Sequence, residues 1–272
     1  MESTGDHHSE NPELKGLYQA IALDPKYGHF VNIPKRIIRC LNHFGVVCDP
    51  IEVERRLLSY YLFIGVVDET IDCGRLEIGK LILDRLSTRT PCLDEETQRS
   101  AVSLTTEILR RNISPESYSE ALAKLHELYR AVVNERTAET MTVYIEQRNA
   151  VGSLTAEVSY MLIQPCLQRD HEDLLPFLKR VGAVGCLVDS IIDLPADAKA
   201  GILSFRPSAR DLLELIGCTL RDALGISIRH PALLGVFLQA VGDTLRDRFR
   251  SRKSLSGGSV ISSRKERAAS VV

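Results

Sequence analysis

At 272 residues, with 44% hydrophobic and 26% charged residues, the chain has the balance of an ordinary globular protein able to bury a large core. A formal net charge of -2 argues against a nucleic-acid binder, and no run of about 18 uncharged apolar residues is present to cross a membrane. Seven scattered cysteines without a Cys-x-x-Cys pair read as reduced core thiols of a cytosolic protein, not as a disulfide framework or zinc site.

Met1 to Glu10 is polar and acidic, unlike a signal peptide, and residues 1–11 are expected to be disordered. Short amphipathic helices are expected over 12–23 and 34–44, the first stopped by Asp24-Pro25. Asp49 is a good N-cap for the next helix, with Pro50 at its first position and Glu52 and Glu54 in its first turn. Its apolar pattern runs through Leu57, Leu58, Tyr61, Leu62 and Ile64 to a stop at Gly74. Further helices are expected over 75–86, from an Asp94 cap to Arg111, and from Ser114-Pro115-Glu116 onward. The pattern resumes over 138–163, with a soft place at Val151-Gly152-Ser153, then over 173–193, 208–224 and 231–250. No period-2 strand and no internal repeat is found, so the prediction is a single all-α helical bundle over 12–250. Residues 251–272 form a basic, Ser/Gly-rich tail, read as a flexible solvated end with peripheral contact to an anionic membrane as the minority reading.

Two stretches carry chemistry. Phe63 to Asp72 reads Phe-Ile-Gly-Val-Val-Asp-Glu-Thr-Ile-Asp, an apolar run ending in Asp68, Glu69 and Asp72. Asp68 and Asp72 stand one helical turn apart on one face, where two carboxylates near a core repel each other. A hard divalent cation compensates such a pair, and Mg²⁺ binds carboxylates while keeping waters and substrate phosphates. Residues 186–197, Cys-Leu-Val-Asp-Ser-Ile-Ile-Asp-Leu-Pro-Ala-Asp, repeat the arrangement with Asp189 and Asp193. Asp197 lies four further on, but Pro195 is expected to put it past a kink or helix end. One such pair alone is most simply a solvated helix terminus. Two of them, each after an apolar helix, suit a bundle whose facing helices build a carboxylate metal site.

Val-Asp-Glu-Thr-Ile-Asp resembles the first aspartate-rich motif of the squalene/phytoene synthases, and Leu-Val-Asp-Ser-Ile-Ile-Asp-Leu-Pro-Ala-Asp resembles their second. The second is equally similar to the metal motif of the class I terpene cyclases, which share the all-α fold. Asn149-Ala150-Val151-Gly152-Ser153-Leu154 sits where that superfamily breaks a helix beside its substrate. The resemblance spans about 50–205. It implies a class I terpenoid synthase fold in which three Mg²⁺ ions, held by Asp68 and Asp72 on one side and by Asp189, Asp193 and Asp197 on the other, ionise a prenyl diphosphate. Asp68, Asp72 and Asp193 would then be catalytic, Glu69 supporting, and the allylic cation would react in a water-free apolar cavity.

The chain also departs from the head-to-head synthases, because Gly65 and Ile192 stand where those enzymes carry phosphate-gripping arginines, and Ala200-Gly201-Ile202-Leu203 replaces a Gly-Arg-x-Tyr-like stretch. Tyr61 stands where the family often has a Tyr. The resemblance therefore favours cyclisation or rearrangement of one prenyl diphosphate over condensation of two, with an isoprenoid- or partner-binding protein without turnover as the reading from another class. Arg148 is the candidate for gripping the diphosphate, against its alternative as a surface arginine such as Arg136 is expected to be. Lys199 and Arg206 follow the second motif and could close over the phosphates. Tyr144 and Tyr160 could line the cavity or be plain core, and an aromatic content of 6% without Trp is thin for a cation-guiding pocket. The histidines do not cluster in sequence, and no hydrolase, NTPase or dinucleotide motif is present.

Overall fold

The computed structural model describes residues 12–72, 75–88, 100–169 and 171–233, together with Gly235, Leu238, Gln239 and Gly242. Nine α-helices lie among the described residues: α1 Pro12–Leu23, α2 Gly28–His43, α3 Pro50–Asp72, α4 Glu77–Thr88, α5 Ala101–Asn112, α6 Tyr118–Arg136, α7 Met141–Ile163, α8 Leu174–Ala200 and α9 Ala209–Arg229. They contain no strand, only an isolated bridge between Cys48 and Leu167. The class is all-α, as the periodicity predicts. None of these helices is long and apolar enough to cross a membrane. The stop at Gly74, the cap at Asp94, most of the helix expected at 231–250 and both termini lie outside the described residues.

The start of α3 follows from its sequence. Asp49 Oδ1 accepts the backbone N–H groups of Ile51 at 2.9 Å and Glu52 at 3.4 Å, and Pro50 needs no partner there. Further on, Ser59 through Phe63 are buried on every side, with Leu57, Tyr60 and Leu62 fully so. A helix buried all round is a central one, and α3 packs against α2, α4, α5 and α7. Its last turn carries the first acid cluster out of the core.

Two expectations need correction. Helix α2 begins at Gly28, not at Pro34, and carries Pro34 inside it. A proline is a good helix start but not a necessary one when the preceding turn is already set, here by the short 3₁₀ turn Pro25–Tyr27 capped by Asp24. Helix α7 runs unbroken through Gly152. Gly152 serves packing instead: α7 and α8 lie antiparallel, and a Cβ on Gly152 would sit 2.2 Å from the Gly182 carbonyl oxygen of α8. The reciprocal contact, from Gly182 to the Gly152 carbonyl oxygen, would be 2.3 Å. Two backbones this close leave no room for any side chain at either position.

Candidate functional site

Helix α8 supplies the second acid cluster, and its end differs from expectation. Pro195 lies inside the helix, which continues to Ala200. Gly201, at φ +71°, reverses the chain, and the Ile202 N–H donates to the Asp197 carbonyl at 3.0 Å. That left-handed cap closes the last turn beyond the hydrogen bond that Pro195 cannot make. Asp189, Asp193 and Asp197 therefore share one face of one helix, all three half-buried. Asp68 and Asp72 of α3 are both exposed, and Asp72 lies near enough to act on Asp197.

The two clusters act on each other. Burial, then Asp72, pushes the Asp68 carboxyl up to about 7 against the pull of Arg148. Burial, then Asp193 and Asp72, pushes Asp197 up to about 6. Asp68 is nonetheless exposed to water, so the energy at stake is smaller than for a sealed carboxyl. Both groups hold a proton more tightly folded than unfolded. Their contribution to stability is complete below about pH 4, the unfolded value, and is lost as pH rises through their folded values. Metal-free protein is therefore expected to lose melting temperature between about pH 5 and 8, and Asp68→Asn to flatten that profile. A melting temperature that rises over this range would contradict the crowding of acids.

Side chains of neighbouring helices meet these acids at several points. Arg136, at the end of α6, pairs with Asp72, and its carbonyl accepts from Ser204 Oγ at 2.6 Å in the α8–α9 connection. The expectation of a surface arginine was therefore mistaken at this position. His29 Nε2 of α2 is 3.7 Å from Asp189 Oδ2. Glu69 is held by Tyr27 Oη and by Lys26 Nζ at 3.0 Å.

Arg148 is the pin of the site. Its Nε donates to Ser190 Oγ at 2.8 Å, Nη2 to the Cys186 carbonyl at 3.1 Å, and Nη1 to Glu135 at 3.2 Å. Three helices, α6, α7 and α8, are tied through one guanidinium. Ser190 completes the hub: it accepts from Arg148 and from Tyr144 Oη at 3.2 Å, and donates to the Cys186 carbonyl. Arg148→Met leaves Glu135, a side chain only 15% exposed, without its cation. The expected loss is about 3–5 kcal/mol, read by denaturant unfolding. A loss under about 1 kcal/mol would reduce Arg148 to a surface charge.

The other candidates lie apart. Tyr61 is buried in the core and shares a hydrogen bond with Ser159 Oγ at 3.0 Å. Lys199, in the last turn of α8, and Arg206, in the α8–α9 connection, are exposed. Asn149, beside Arg148, has its Oδ1 buried with no hydrogen-bond partner, an acceptor that a water or ligand would satisfy. Among the described residues, no three acidic, His or Cys side chains stand together closely enough to hold a metal ion. A hollow of about 500 Å³ lies at the opposite end of α8, lined by Phe44, Gly45, Val46, Arg169 and His171 to Asp173, and none of the site acids borders it.

Sequence reasoning missed Arg136, His29 and Lys26. A basic residue in a last helical turn, as Arg136 is, complements the helix dipole wherever it occurs. Nothing local marks it as an ion-pair partner for α3. Comparison with protein-family models, with curated proteins and with solved structures finds no match for this chain.

Proposed function

We propose that the chain is a Mg²⁺-dependent class I terpenoid synthase that ionises one linear prenyl diphosphate, releases pyrophosphate and rearranges or cyclises the cation. The observation that carries this reading is the nearness of the two acid clusters: Arg136 pairs with Asp72 of α3 and bonds Ser204 just past α8, Asp72 and Asp193 push up the Asp197 carboxyl, and the half-buried Arg148 pulls on both Asp68 and Asp197. The donor chemistry fits the metal: crowded carboxylates, two of which are driven toward holding protons, are what a hard dication neutralises. Bound by these acids, Mg²⁺ would supply charge neutralisation of the diphosphate and of its leaving group. Arg148 fixes the positive charge of the floor and holds α7 and α8 in register. Arg136 already pairs with Asp72 and could exchange it for a phosphate oxygen, and exposed Lys199 lies two residues beyond Asp197 on α8.

The place of one phosphate-gripping arginine of the head-to-head enzymes is filled from elsewhere. A Cβ on Gly65 would lie 2.7 Å from the Phe30 ring, so α2 packs where such a side chain would start. This supports one substrate over two. A specific observation also favours binding without turnover: Asp72 is already paired with Arg136, and Asp189 already faces the His29 ring. Thermal unfolding with Mg²⁺, with inorganic pyrophosphate and with both separates the two. The synthase reading expects a gain of about 5 °C or more with both together and little with either alone, which corresponds to roughly 2–3 kcal/mol of linkage at saturating ligand. No gain with both ligands leaves the binding-protein reading.

A further inference from the structure

Helix α9 is apolar on two opposite faces. Leu215, Thr219 and Ile226 are buried against the bundle, whereas Leu213, Leu220, Leu224 and Ile228 point outward, 69%, 58%, 60% and 79% exposed. The outward residues recur at intervals of seven, four and four, and so form one stripe along the helix. A helix with apolar residues on both faces is built to be covered on both.

Of the described residues after α9, Gln239 lies on α2, where Arg39 Nη1 donates to it at 2.9 Å, and not on the stripe. The flank of the stripe also speaks against a lipid surface. It carries Glu214 between Arg210 and Arg221, not the run of cations that a membrane-lying helix presents.

We propose that the stripe docks a second copy of this chain through an antiparallel α9–α9 pair about a two-fold axis near Gly217. In that register Leu213 of one copy enters between Leu220 and Leu224 of the other. A Cβ at Gly217 would meet nothing within 4 Å, so the backbones are free to approach at the axis. Residues on one edge of an antiparallel pair face the same edge of the partner, so Glu214 meets Arg221 of the second copy, twice by symmetry. Both side chains are exposed and accessible, Glu214 accepting from Thr142 Oγ1 and Arg221 donating to Asp222. Val143, 40% exposed beside Thr142, extends the patch onto α7. A helix of 21 residues is about 31 Å long, and one such pair buries less than the roughly 800 Å² per partner of a standard interface. The dimer is therefore weak, with a dissociation constant on the order of tens of micromolar.

Sedimentation equilibrium of the full chain from about 1 to 300 μM tests this, with circular dichroism confirming that each variant is folded. The expected results are a monomer–dimer equilibrium, at least about tenfold weaker in Leu220→Glu. Glu214→Arg or Arg221→Glu alone should weaken it about 3–10-fold, because each change counts twice in a symmetric pair, and the double reversal should restore it. A chain monomeric throughout overturns the proposal. So does a dimer indifferent to Leu220→Glu, a double reversal that fails to recover, or a monomer that sediments with anionic vesicles through the stripe. The test is independent of the enzymatic reading.

Discussion

Asp68→Ala or Asp193→Ala is expected to lower Mg²⁺-dependent pyrophosphate release by a factor of about 10²–10³ or more, while the protein stays folded. Neither side chain is part of the core: Asp68 is exposed and Asp193 is half-buried. Burial, with the repulsion of Asp72 added to it, holds the Asp68 carboxyl up at about 7. Removing it takes one charge out of a crowded cluster, so the metal-free Asp68→Ala protein should melt at the same temperature or higher at pH 8. A residue kept for structure would show the reverse, with activity and stability falling together. Lost activity with unchanged or raised stability is therefore the signature of a carboxylate held against its own preference for a ligand. Full turnover in either variant would sink the metal assignment.

Gly152→Val is expected to cost about 3 kcal/mol or more, enough to leave much of the chain unfolded at 37 °C if its stability is ordinary. The position is boxed by backbone, not by a movable side chain: the nearest atoms to a Cβ there are the Gly182 carbonyl at 2.2 Å and 2.6 Å and the Ala183 Cα at 2.8 Å. The only relief is for α7 and α8 to separate, and that separation would stretch the Arg148 contacts to Ser190 and Cys186 four residues along α7. Stability and site geometry are thus linked through one crossing. Gly185→Ala, on the same helix, is the control, because nothing lies within 4 Å of its would-be Cβ. Alanine favours a helix interior over glycine by up to about 1 kcal/mol, so this change should be neutral or stabilising. Urea unfolding of both variants gives the comparison, and equal effects would contradict the close crossing.

The helices were legible because their signals are local. Asp49-Pro50 and Ser208 are caps whose acceptors bond the next turn of the same chain, and Ser208 with Asp211 forms a reciprocal capping box. The acid pairs were legible for the same reason, since a spacing of four puts carboxylates on one face whatever the helix packs against. What depends on a second element was not. Gly152 reads equally as a helix break or a crossing point until Gly182 is placed beside it. Arg136 reads as a surface residue until α6 ends next to α3. The effect of Pro195 depended on the cap at Gly201, which the apolar sequence around it did not advertise.

The most direct measurement is pyrophosphate release from geranyl, farnesyl and geranylgeranyl diphosphates, with Mg²⁺ and with chelator, followed by extraction of the hydrocarbon product. Release from at least one of them that requires Mg²⁺, with a product no longer than the chain supplied, is the expected result. Mg²⁺-independent release, or none from any of the three, would contradict a metal-dependent diphosphate site between α3 and α8.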